Sequence, residues 1–331
     1  MRLVRILAFP ISLIYALVVH LRNWFFDHGL FKTKSFKTPI ICIGNLSTGG
    51  TGKTPMAEYL ISILVASNKV ALLSRGYKRQ SKGYLLATKN NTVEELGDEP
   101  YQIHKKFENI DLAVDSNRKN GIERLEKEVK PEVIIMDDAF QHRKVKADLN
   151  VLLTAYGHLY SNDWYLPTGN LRDGKREARR AHIIVVTKCP PNISENERQK
   201  IRKQLAPHKH QQVLFACMEY DSEVVSKSAK RPLISLKEEQ FTLVTGIANA
   251  RPLVSYLETE GLQFNHLKYS DHHNFSKDEV AHLNSLKLKV TTEKDYVRLS
   301  EKVSELYYLG VRHRFIENDA SILEEVLQNL L

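Results

Sequence analysis

The stretch Ser47-Thr48-Gly49-Gly50-Thr51-Gly52-Lys53-Thr54 carries the strongest chemical signal in the chain. Glycines at this density let backbone N–H groups curl around a phosphate. A helix starting just after them adds the positive end of its dipole. The spacing fits a P-loop, in which Lys53 reaches the outer phosphates of ATP and Thr54 holds Mg²⁺. Ser47 stands where the usual G-x-x-x-x-G-K-[ST] pattern has its first glycine, but Gly49, Gly50 and Gly52 preserve the loop.

A second signal is VIIMDDAFQHR (133–143), an apolar run ending in Asp137 and Asp138. A carboxylate at the end of a strand beside a P-loop can enter the Mg²⁺ shell. Two further clusters stay open on residue type alone. Gly97-Asp98-Glu99-Pro100 reads as a turn or a helix start. Asp271-His272-His273-Asn274 reads as a surface loop or a metal site, although adjacent histidines point to different sides. Two other P-loop classes lose their diagnostic residue. The GTPase Asn/Thr-Lys-x-Asp motif is nearest at Thr187-Lys188-Cys189-Pro190, which has no Asp. The signature lysine of partitioning ATPases is replaced by Thr48.

These residues need elements to position them. TPIICIGNL reads as a strand entering the loop, and Met56, Leu60, Ile63 and Leu64 share one face of the helix leaving it. Pro55 falls in that helix's first turn, where a missing N–H costs little. VALLSRG, VIIMDD, LNVLL, IIVVTK, VLFA and FTLVTG are apolar runs of the buried parallel-strand kind. Strands alternating with helical stretches predict an α/β fold, a P-loop parallel sheet flanked by helices. The polar segment 221–240 suggests a boundary. The expected units are an N-terminal anchor helix and basic linker (1–38), a P-loop domain (39–228) and a smaller α/β domain (229–331).

The chain has 331 residues, enough for two domains, and a net charge of +9 from 48 Lys and Arg against 39 Asp and Glu. That excess suits an anionic partner. No basic stripe interleaved with aromatics appears, so no nucleic acid is expected. Cys42, Cys189 and Cys217 show no CxxC spacing, which argues against a disulfide framework or a zinc knuckle. The run Ile6 to Val19 is uncharged, with Arg2 and Arg5 before it and Arg22, Trp24, Phe25 and Phe26 after it. It is shorter than the roughly 20 apolar residues of a spanning helix. No small-residue cleavage site follows it, which argues against a signal peptide. A core helix is one reading. The interfacial aromatics, with Lys32, Lys34 and Lys37 beyond them, favour a membrane-inserted or membrane-lying anchor. Pro10 would kink a spanning helix and favours partial insertion.

Taken together, GNLSTGGTGKTP (44–55), LLSRGYKR (72–79), GDEP (97–100), MDDAFQHR (136–143), LPTGNLRD (166–173), DHHNF (271–275) and TTEKD (291–295) resemble the tetraacyldisaccharide 4′-kinases, in that family's order and over most of the chain. The resemblance implies transfer of the ATP γ-phosphate to the 4′-hydroxyl of a tetraacylated glucosamine disaccharide 1-phosphate, in lipid A biosynthesis. It implies ATP bound by Ser47, Thr48, Gly49, Gly50, Thr51, Gly52, Lys53 and Thr54. It makes Asp98 the base for the sugar hydroxyl and His272 its support, so that Asp98, His272 and Lys53 are the expected catalytic residues. Thr54, Asp137, Asp138 and Gln141 would hold the metal, with His142 beside them. The family usually has Glu where this chain has Asp173, and often an aromatic at His273, which leaves the acting histidine to be decided. The expected partners are the lipid A disaccharide precursor and the inner-membrane surface on its cytoplasmic face, with no obligate protein partner. The alternative reading is a membrane-recruited P-loop ATPase switch without an acceptor, which gives GDEP and DHH no role.

Overall fold

The computed structural model describes residues 2–331. Thirteen strands form one continuous sheet: β1 (Ile40–Asn45), β2 (Val70–Ser74), β3 (Leu85–Leu86), β4 (Asp111–Val114), β5 (Val133–Met136), β6 (Leu149–Ala155), β7 (Ile183–Thr187), β8 (Gln212–Val225), β9 (Lys230–Pro232), β10 (Phe241–Thr245), β11 (Phe264–Lys268), β12 (Lys289–Thr292) and β13 (Leu306–Phe315). Their order is β11-β10-β12-β13-β8-β7-β6-β1-β5-β2-β4-β3, with β9 on β8. The strands β2, β5, β1, β6 and β7 pair in parallel. Their sequences are near-continuous Ile, Val and Leu because helices cover both faces, and every residue of β1, β2, β5 and β7 is buried. The expected α/β class is observed.

β1 lies in the middle, between β5 and β6. This order sets the chemistry: the P-loop leaves the end of β1, and Asp137 leaves the end of the adjacent β5, where Cys42 is in register with Met136. Ligands in open α/β sheets gather at such carboxyl ends.

The second unit is not separated where the polar composition of 221–240 suggests. β8 has 14 residues and passes through that region to Val225. Its first part pairs in parallel with β7, and its remainder pairs antiparallel with β13. The half-exposed side chains of this ribbon explain why it does not read as a core strand. The final helix, Asp319–Gln328, returns to the first unit, where Leu323 and Leu327 join the core with Met56, Leu60 and Leu64. The division at 229 therefore cuts a continuous sheet, and the C-terminal helix belongs with the P-loop core.

The N-terminus forms two helices, Arg2–Leu7 and Phe9–Asp27, with Pro10 in the first turn of the second. Pro10 thus starts a helix instead of kinking one. The longer helix has its polar groups turned inward. Ser12 Oγ donates to Thr168 Oγ1 at 2.8 Å, Tyr15 Oη donates to the Arg172 carbonyl at 3.1 Å, and Asn23 Nδ2 donates to Asp173 Oδ1 at 2.7 Å. Ile11, Leu13, Ile14, Leu17, Val18 and Leu21 face outward and are exposed. This inverts the usual amphipathic arrangement of a surface helix.

Candidate functional site

The P-loop is built from its backbone upward. Gly49 (φ 115°) and Gly52 (φ 83°) occupy conformations that L side chains rarely adopt. At Gly52 a Cβ would also meet the His313 ring at 2.8 Å. Thr48, Gly49 and Gly50 form the exposed lip, while Thr51 is buried. Thr51 is pinned from two sides: Asn45 Nδ2 donates to its Oγ1 at 2.9 Å, and Thr187 Oγ1 donates to its carbonyl at 2.8 Å. Lys53 and Thr54 open the helix Lys53–Leu64. The hydroxyl of Ser47 is buried with no hydrogen-bond partner, as is Oδ1 of Asp137.

The motif LPTGNLRD supplies the other wall. Thr48 N–H donates to the Asn170 carbonyl at 2.7 Å, and Leu171 bridges to Ser47. Arg172 pairs with both oxygens of Asp138 and reaches Asn45. Asp173 is fully buried and accepts from Asn23 and from the Gly174 N–H. It faces the N-terminal helix rather than the phosphate loop. One short segment therefore ties that helix to the P-loop.

The two acidic residues after β5 differ. Burial, reinforced by the charge of Asp138, pushes Asp137 up to about 6. Burial also works to raise Asp138, but Lys53 and Arg172 outweigh it and hold Asp138 below the usual carboxylate range. Lys53 Nζ lies 3.8 Å from Asp138 Oδ1, long for a charge-assisted hydrogen bond, so Lys53 is loosely held and Arg172 carries the pairing. Gln141 gives its amide nitrogen to the Asn45 carbonyl at 2.8 Å, leaving the amide oxygen for a ligand. Burial, with Arg118 next, lowers His142 to about 4, so its ring is neutral.

The donors fit Mg²⁺. The buried Oδ1 of Asp137 lacks a partner, and carboxylate and hydroxyl oxygens are the ligands this hard cation takes. Among the described residues no group of three or more His, Cys, Asp or Glu could hold a metal. None is required where one or two carboxylates combine with nucleotide phosphates.

The second unit meets the first at Asp98. Gly97 (φ 89°) turns the chain into the helix Asp98–Lys106, placing Asp98 in its first turn. Opposite it, His272 sits at φ 57°, a strained setting for a side chain that is common at functional positions. His272 Nδ1 lies 2.7 Å from Asp98 Oδ2, across 174 positions of sequence. His273 instead turns to Glu279 at 3.0 Å and stacks on Tyr269. Of the two histidines left open by the motif, His272 is the one that faces Asp98. Arg298 bonds both oxygens of Asp98, and Lys294 contacts His272 Nε2 at 3.0 Å and Glu99 at 3.2 Å. Lys106 adds a second junction, pairing with Glu58 at 2.7 Å and with Glu293 of the second unit at 2.9 Å.

Sequence reasoning assigned no role to Arg172, Asn45, Arg298 or Lys294. The motifs LPTGNLRD and TTEKD contain or adjoin three of them, but a basic residue in a polar loop carries no signal of its partner. Lys188 was met only as a failed GTPase motif. It sits at φ 59°, with its Nζ 3.8 Å from where a Gly50 Cβ would lie.

Relatives match this chain along nearly its whole length. The family of tetraacyldisaccharide-1-P 4′-kinases matches residues 4–331. The tetraacyldisaccharide 4′-kinase of Flavobacterium johnsoniae is 47% identical, covering 100% of this chain and 99% of its own. That of Bacteroides thetaiotaomicron is 45% identical over 88% of this chain and 82% of its own. The crystal structure of apo-form LpxK from Aquifex aeolicus with ATP superposes with a TM-score of 0.81 at 28% identity, covering 99% of both chains. By sequence and by fold, this chain belongs to the tetraacyldisaccharide-1-P 4′-kinase family.

Proposed function

We propose that the chain transfers the γ-phosphate of ATP to the 4′-hydroxyl of a tetraacylated glucosamine disaccharide 1-phosphate, forming lipid IVA in lipid A biosynthesis. The observation that carries this reading is the Asp98–His272 contact, because a nucleotide switch without an acceptor has no use for a base opposite its P-loop. Lys53 and the loop amides orient the outer phosphates. Asp98 takes the proton from the sugar hydroxyl, a poor nucleophile at neutral pH, and His272 orients Asp98. Asp137 and Thr54, with Asp138 and Gln141 beside them, would hold Mg²⁺, which when bound neutralises charge on the transferring phosphate.

Incubation with ATP, Mg²⁺ and the disaccharide precursor in detergent tests the reading. A new phosphate on the 4′ carbon, mapped by mass spectrometry and ³¹P NMR, is the expected product. ATP turnover that ignores the acceptor and leaves the lipid unchanged would instead favour the switch.

The acceptor is a lipid, and the N-terminal helix supplies the means to reach it. We infer that this helix lies in the cytoplasmic face of the inner membrane rather than crossing it. Its inner face is bonded to the protein from Ser12 to Asn23, which leaves no free length to span. Only 22% of its most apolar window is buried, and the outward face is aliphatic. Ile14 and Leu17 are 64% and 68% exposed and take no part in the hydrogen bonds of Ser12, Tyr15 and Asn23. Burying such a side chain in an apolar medium contributes roughly 1.5–3 kcal/mol. The double change Ile14→Glu with Leu17→Glu is therefore expected to weaken vesicle binding at least about a hundredfold. Turnover on detergent-dispersed acceptor should change little. Co-sedimentation with anionic vesicles reads this, and unchanged sedimentation would defeat the anchor reading.

A further inference from the structure

The helix Glu293–Leu299 carries Lys294 and Arg298 one turn apart, and both side chains point at the Asp98–His272 pair. Arg298 is held in place itself: its side chain is 9% exposed, and Nη1 lies 3.7 Å from the buried Asp295. Its Nε donates to Asp98 Oδ1 at 3.0 Å, and its Nη2 donates to Oδ2. This is the two-pronged guanidinium–carboxylate geometry that fixes both distance and plane. Oδ2 also receives His272 Nδ1. Oδ1 has one bond from Arg298, so one of its lone pairs stays open.

Lys294 determines the imidazole's role. An ammonium only donates, so its 3.0 Å contact makes Nε2 of His272 the acceptor. The ring's proton is then on Nδ1 and donates to Asp98. Arg298 Nη2 and His272 Nδ1, 2.9 Å apart, converge on Oδ2 as two donors.

We propose that Arg298 is a positioning residue for the phosphoryl-acceptor step: from the second unit it holds the Asp98 carboxylate so that one lone pair of Oδ1 is left for the acceptor hydroxyl, while Lys294 holds His272 in the tautomer that donates to Asp98. Closure of the two units thereby assembles the base, because Asp98 comes from one unit and all three of its supports come from the other. The proposal rests on the reading of Asp98 as the base.

The charge environment has a consequence for pH. Asp98 is faced by Arg298, Asp295 and Lys294 from the helix 293–299, by Asp271 and His272 from the DHHN turn, by Glu99 on its own helix, and by Tyr77, whose ring is 6.0 Å from that of His272. Burial works to raise Asp98, but the hydrogen bonds and charge of Arg298, followed by His272, outweigh it and hold the carboxyl below its usual range. A base must be ionised, so activity falls as pH drops through this value. Removing Arg298 raises the value and moves that acid limb to higher pH.

Arg298→Gln, Arg298→Lys and Asp98→Asn test the proposal in the full-length enzyme. The readouts are kcat with lipid acceptor in detergent, the acid limb of kcat/KM, and ATP affinity by equilibrium dialysis. R298Q is expected to lose about a hundredfold in kcat, the scale of a misplaced reacting group, with its acid limb moved up and ATP affinity unchanged. R298K keeps the charge but not the fork, so it should regain part of kcat with a near-native limb. Native kcat and an unmoved limb in R298Q would overturn the proposal, as would a loss of ATP affinity that accounts for its fall in kcat. If R298Q melts below the assay temperature, R298K decides, and fully native kcat there overturns it. Transfer retained in D98N removes the base reading itself. An inactive D98N beside a native R298Q removes only the role of Arg298.

Discussion

Lys53→Ala is expected to lower phosphate transfer by about 10²–10³-fold or more, the scale seen when a preorganised group facing developing charge is removed. The structure explains why the loss would fall on chemistry rather than folding. Lys53 contributes little to the resting protein: its ion pair with Asp138 is 3.8 Å long, and Asp138 keeps Arg172 as its partner when Lys53 is gone. Pairs of this kind contribute about 0–1 kcal/mol. Arg172 is bound to both oxygens of Asp138, and Lys188 lies beside Gly50, so neither stands where Lys53 does at the start of the helix. Single-turnover transfer from γ-labelled ATP, with a thermal melt as control, reads this. Near-normal transfer in a well-folded K53A protein would take the P-loop lysine out of the mechanism.

Asp98→Ala and His272→Ala are each expected to lower kcat by about 10²–10⁴-fold, the usual contribution of a positioned acid or base. ATP affinity should hold in both, because neither side chain touches the phosphate loop and their described partners are Arg298, Lys294 and each other. His273→Ala should leave kcat near native, since that ring is occupied with Glu279 and Tyr269. Loss of ATP binding in D98A would move Asp98 into the nucleotide site. Activity that survives H272A but not H273A would reverse the assignment of the histidines.

Much of this site was legible because it is local. A glycine-rich run between an apolar strand and an amphipathic helix leaves few alternatives for Lys53 and Thr54, and β5 announces Asp137 by ending an apolar run in acid. Asp98 and His272 could be named, and paired as base and support, only through the resemblance. Their contact depends on how two units close, which no spacing along the chain encodes. Arg298 and Arg172 were harder still, because an arginine reads as solvated surface until its carboxylate is placed beside it. Asp173 shows the limit from the other direction. Its place in the LPTGNLRD motif leaves its contact open, and in the structure it anchors a helix that lies 150 positions earlier at Asn23. The polar stretch at 221–240 hides the end of β8, because β8 is a strand of two kinds. Its first half is buried and apolar, and its second half belongs to a two-stranded ribbon whose polar residues look like linker.

Catalysis turns most directly on whether Asp98 and His272 work as one unit at the acceptor hydroxyl. A double-mutant cycle in kcat, measured with saturating ATP and lipid acceptor in detergent, answers this. Residues that act together are strongly non-additive. Asp98→Ala combined with His272→Ala is expected to cost little more than the worse single change. A double variant that shows the full product of the two single losses would contradict it.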